Sequence, residues 1–184
     1  MVSPRKYGAA WETLATGRND RITGSSVPCS TRLIYVSKNL ESLRQERGGL
    51  AVEVISKAMV RMAFHSDTPG VMVGADYQDW HRRCGHELEA HVTSGRTVVL
   101  RKARTSGFGI VRAAARVLDF NETSSTVSLT LENPAADSTL RFRTDNPPRR
   151  VLVNGKPVNV SRAGDEWEAP LPAMQGKVAV VVEL

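Results

Sequence analysis

The chain reads as an all-β protein: an antiparallel β-sandwich, of jelly-roll or immunoglobulin-like type, preceded by an irregular N-terminal arm. Three observations predict this. Short apolar runs recur from residue 31 to the end, divided by turn chemistry such as Asp67-Thr68-Pro69-Gly70 and Thr93-Ser94-Gly95. In Val127-Ser128-Leu129-Thr130-Leu131-Glu132 every second residue is apolar, as a half-buried strand requires. Asn154-Gly155 sits between two apolar runs, where both turn positions of a tight hairpin want positive φ and this pair supplies it cheaply.

Residues 1–30 differ from the rest. Gly8, Gly17, Gly24, Ser25, Ser26 and Pro28 punctuate them, leaving one helix-like piece, Ala9 to Leu14, with Trp11 as its docking residue. Arg32 to Val36 follows as a first strand. Asn39 to Arg47, apolar at Leu40 and Leu43 and ending at Gly48-Gly49, reads as a short helix closed by the glycines or as a polar connection. Strands are then expected at Leu50–Ile55, Met59–Phe64, Gly70–Val73, Glu87–Val92 and Thr97–Leu100. Ile110 to Leu118 is read as one strand despite its alanines, with Asp119-Phe120-Asn121 ending it. Beyond it, Asn133-Pro134 and Asn146-Pro147-Pro148 break the run of strands, and Trp167 should face away from its neighbours Glu166 and Glu168. Residues 31–184 are thus one sandwich, or two small ones dividing near 105, and the closing strand Lys177 to Leu184 suggests that little is missing after it.

Composition narrows the function classes. At 184 residues the chain is long enough to bury a real core. Mean hydropathy is −0.27, and no apolar run approaches the ~18–20 residues of a membrane-spanning helix, so no membrane partner is expected. The N-terminus has no apolar stretch behind Arg5-Lys6, which argues against an intact secretory signal without excluding export. Lys and Arg number 25 against 19 acidic residues, a net charge of +6. Between Glu89 and Asp119 there is no acidic residue, yet Arg96, Arg101, Lys102, Arg104, Arg112 and Arg116 all fall there. Such a stripe can attract a polyanion, with Arg96, Arg101, Lys102 and Arg104 as its contacts. Outward strand positions are often arginine for no functional reason, so nucleic acid is not the expected partner. Cys29 and Cys84 allow one disulfide at most and fit no zinc or redox spacing.

The densest polar cluster runs from Asp76 to Glu87, with His91 just beyond; three of the four histidines lie here, with Cys84. A metal centre is not expected, since His86 and His91 are five apart and the run is one residue too long for an HExxH helix. The segment reads better as a ligand-contacting loop. Tyr77 and Trp80 would form an aromatic platform, with Asp76, Asp79 and His81 as polar contacts for hydroxyls. The plainer alternative places Trp80 in the core. No serine lies in a G-x-S-x-G elbow, and Gly107-Phe108-Gly109 lacks the rest of a phosphate loop. Carboxylates that could pair for glycoside cleavage (Asp67, Asp76, Asp79, Glu87, Glu89) are no more than most chains offer, so the chain reads as non-catalytic and cofactor-free. Asn121-Glu122-Thr123 and Asn159-Val160-Ser161 match the glycosylation sequon, which matters only in a glycosylating host.

The C-terminal third carries a resemblance. From Thr126 to Leu184 a strand rich in Leu and Thr is followed by a proline-marked break, then by Arg150-Val151-Leu152-Val153-Asn154-Gly155-Lys156-Pro157-Val158. Trp167 near Leu171-Pro172 and a valine-rich strand after Gly176 complete it. This succession resembles the C-terminal β-sandwich accessory domains of bacterial glycoside hydrolases and related polysaccharide-degrading enzymes. The resemblance implies an extracytoplasmic accessory module whose partner is carbohydrate or the catalytic domain of a carbohydrate-active enzyme. Two other classes stay open: an assembly protein, capsid-like, using the N-terminal arm and a basic face, and a small hydrolase using the His/Asp cluster at 76–91.

Overall fold

The computed structural model describes residues 31–36, 40–46, 49–54, 60–66, 69–81, 87–92, 96–134 and 138–184; strand residues before 69, and 81, 87, 89, 96 and 97, are described as backbone only. The expected N-terminal arm, Cys29, Cys84 and His86 lie outside the described residues. The first half contributes β1 (Thr31–Val36), β2 (Leu40–Glu46), β3 (Gly49–Val54), β4 (Val60–Ser66), β5 (Val71–Val73), β6 (Tyr77–His81), β7 (Glu87–Val92) and β8 (Arg96–Arg101). The second contributes β9 (Gly109–Ala113), β10 (Arg116–Glu122), β11 (Thr126–Glu132), β12 (Thr139–Arg143), β13 (Arg150–Val153), β14 (Lys156–Val158), β15 (Ser161–Ala163), β16 (Glu166–Pro170) and β17 (Lys177–Glu183).

These strands form three antiparallel sheets, packed as a β-sandwich. An eight-stranded sheet runs β1-β4-β7-β6-β9-β12-β16-β15, a five-stranded one β10-β11-β17-β13-β14, and a four-stranded one β2-β3-β8-β5. The long sheet draws its first four strands from the first half of the chain and its last four from the second. They join where β6 meets β9, through Gln78 opposite Ala113 and Asp79 opposite Arg112.

Alternation decides the core. On β11, Val127, Leu129 and Leu131 turn inward, and on β17 Val178, Val180 and Val182 do the same. They pack with Ile110, Leu140 and Phe142 of the facing sheet and with Phe108. The Asn-Gly hairpin forms between β13 and β14, with φ of 51° at Asn154 and 75° at Gly155. The Asn154 side chain also accepts from the Ala179 N–H at 2.9 Å, pinning the turn to β17. Pro157 is tolerated because β14 is an edge strand.

Two local expectations are corrected. Leu40 to Glu46 is a strand, neither helix nor connection: it pairs with β3 from Leu40↔Val54 to Glu46↔Gly49. Two apolar positions make too thin a stripe to hold a helix against that ladder. Ile110 to Leu118 is not one strand but parts of two, broken at Ala114-Ala115 as the chain crosses from the eight-stranded to the five-stranded sheet. Asp119-Phe120-Asn121 continues β10 rather than ending it, with a register irregularity between Val117 and Asp119.

Candidate functional site

The Tyr77–His81 segment is strand β6 in the middle of the long sheet, not a loop. Successive side chains on a strand point to opposite faces, so Tyr77 and Trp80 cannot share a platform. Tyr77 donates its hydroxyl to Asp79 Oδ2 at 2.8 Å and rests its ring against His91, centroids 4.9 Å apart. Gln78 and Trp80 take the other face. Trp80 is only 5% exposed, with the Arg143 guanidinium 5.6 Å from its ring centre. Asp76 precedes the strand and is ion-paired to Arg116 Nε at 2.6 Å; Arg116 also reaches Glu132. His81 ends β6 opposite Glu87 in the ladder. Among the described residues, no group of three or more His, Cys, Asp or Glu side chains converges as a metal site would need.

The basic stripe is split as well. Arg96 and Arg101 occupy opposite ends of β8, about 17 Å apart at strand rise. Arg112 is exposed on β9 and stands opposite Asp79 in the ladder. Lys102 and Arg104, however, lie on the 102–108 connection and line a cavity of about 330 Å³. Pro69, Ala103 and Phe108 supply its apolar wall, while Arg143, Thr144 and Asp145 enter from the end of β12. Arg143 both lines the cavity and lies over the Trp80 ring.

Several features fix the cavity's shape. Phe108 stacks on Phe142 and Phe120, at centroid distances of 5.5 and 6.1 Å. Gly109 crosses so close to Pro69 that a Cβ would stand 2.1 Å from its carbonyl oxygen. Gly107, at φ +61°, carries the Asp145 carboxylate against its Cα, and the Asp145 N–H donates to the Ser106 carbonyl at 2.8 Å. Arg143 is held by Asp165 at 2.6 Å.

Glu122 anchors the connection from β10. Its carboxylate accepts the backbone N–H groups of Arg104 at 2.6 Å, Ser106 at 2.8 Å and Thr105 at 3.2 Å. The hydroxyls of Thr105 and Ser106 donate to it as well. Partial burial opposes ionisation, but the Ser106 hydroxyl and the Arg104, Ser106 and Thr105 amides outweigh it, bringing the pKa down to about 2. These contacts clamp residues 104–106 of the cavity wall to β10.

Sequence reasoning missed Phe108, Arg143, Thr144, Asp145 and Glu122 as parts of one site. In the sequence Gly107-Phe108-Gly109 stands out only as an incomplete phosphate loop, and Glu122 only as the middle residue of a sequon. Comparison with protein families, curated proteins and solved structures gives no match for the chain.

Proposed function

We propose that the chain is a non-catalytic β-sandwich module that binds carbohydrate, as an accessory to a carbohydrate-active enzyme, and that the cavity beside the 102–108 connection is its site. The observation that carries this reading is the mixed lining of that cavity. Buried Pro69 and Phe108 and half-buried Ala103 back the cavity, and its lining also includes Arg104, Asp145 and Thr144, whose hydroxyl donates to the Asn146 carbonyl at 2.6 Å. Sugars need that combination: C–H faces pack on apolar surface while acceptors and donors orient the hydroxyls. The Asp145 carboxylate makes no side-chain hydrogen bond or ion pair among the described residues, which leaves its lone pairs for ligand hydroxyls. Ligand pockets span ~300–1,000 Å³, so this one suits a mono- or disaccharide unit rather than a long chain.

A glycan array read with the purified chain and with Asp145→Ala tests the reading. Binding to a defined set of glycans should be lost in the variant while its melting temperature stays unchanged. No glycan binding by the parent chain would end it. Trp80→Ala is a poor first probe, because a residue 5% exposed reports on folding as much as on binding.

A further inference from the structure

We infer that the cavity selects acidic sugars, with Arg104 receiving a ligand carboxylate and Asp145 accepting hydroxyls from the same ring; this rests on the carbohydrate reading above. Three cationic side chains line the cavity, Lys102, Arg104 and Arg143, against one carboxylate, Asp145. Two neighbouring carboxylates outside the lining are already engaged. Asp165 is paired to Arg143, and the charge of Glu122 is taken up by the amides and hydroxyls of residues 104–106. The Arg104 side chain is exposed and makes no ion pair or side-chain hydrogen bond among the described residues.

Arginine presents a planar fork of donors that matches a carboxylate bidentately, a geometry no neutral hydroxyl satisfies as well. That fork normally costs side-chain and loop ordering when a ligand arrives. Here the backbone beneath it is already ordered, because the Arg104 N–H is bound by Glu122 at 2.6 Å. A guanidinium mounted on a clamped backbone, at the rim of a cavity with an apolar wall, is suited to a carboxylated pyranose. A uniformly basic surface built for polyanions would not place Asp145 in the same cavity.

The test is calorimetric titration of a carboxylated oligosaccharide, such as an oligogalacturonate, beside its carboxyl-reduced neutral counterpart of equal length. The acidic sugar should bind at least about ten-fold more tightly. Arg104→Gln should bring it down to the affinity of the neutral sugar, Arg104→Lys should restore part of the difference, and Asp145→Ala should weaken both sugars alike. Equal affinity for the two sugars overturns the inference while leaving the carbohydrate reading intact. Binding of neither, with every acidic glycan on the array silent too, overturns the inference; the carbohydrate reading falls with it only if the neutral glycans are silent as well. An acidic preference that survives in Arg104→Gln, or that extends to a duplex oligonucleotide of similar charge, overturns the inference in favour of general attraction to the basic surface.

Discussion

The clamp at Glu122 lends itself to a quantitative test through Glu122→Gln. The carboxyl pKa falls from 4.5 to about 2 in the folded chain. At ~1.36 kcal/mol for each pH unit, the full linkage contribution has a ceiling of about 3 kcal/mol. Glu122 is only partly buried, and solvent screening brings that to about 1–2 kcal/mol. The sign follows from a depressed carboxylate: the contribution is complete above pH ~4.5 and is lost as pH falls towards 2. At pH 3 less than half of it should remain, by the same two-state titration. Urea unfolding of parent and variant at a series of values from pH 6 to 3 measures it, since groups that titrate in both chains cancel in the difference. The parent's advantage should shrink by about 1 kcal/mol across the series. A difference constant to within ~0.3 kcal/mol would show that the amide and hydroxyl contacts do not hold the carboxylate ionised, and would refute the clamp.

Two other outcomes are expected. In Gln78→Leu the buried Met72 N–H loses its acceptor at 2.9 Å, and the Gly70 and Ile110 carbonyls lose donors at 2.6 and 2.7 Å. A loss of about 3 kcal/mol or more in urea unfolding should follow, whereas a loss below ~1 would mean that the seam readjusts. Gly109→Ala must displace backbone at Pro69, so it should lower stability by about 1–3 kcal/mol in a thermal melt; a neutral result would show that the close approach is soft.

Legibility in the sequence followed how locally each feature is determined. β11, β13 and β17 were readable because each buries one face, so the apolar spacing of Val127, Leu129 and Leu131 is itself the fold. The Asn154-Gly155 turn was readable because its backbone angles demand those residues. Leu40–Glu46 was not, since its state is set by β3 rather than by its own pattern. Residues 110–118 hid a change of sheet at Ala114-Ala115, where the alanines favour helix by propensity and carry no turn signal that would mark the corner. The cavity was the least legible feature. Its wall is assembled from Pro69, the 102–108 connection and residues 143–145, which share no spacing in sequence. Lys102 and Arg104 stood out by charge, but nothing local tied them to Asp145. The aromatic cluster misled for a related reason. Tyr77 and Trp80 are close in sequence, and only the knowledge that they share a strand separates them.

The eight-stranded sheet has a consequence for any attempt to divide the protein. The backbone of β6 is flanked on one side by β7 and on the other by β9, which lies beyond the 102–108 connection. A fragment ending in that connection would leave β6 as a bare, centrally placed edge, and the complementary fragment would leave β9 likewise. Unprotected edges of that kind recruit other strands, so the separate fragments should self-associate while an equimolar mixture of them reassembles. Each half of the chain thus shields the edge that would make the other insoluble.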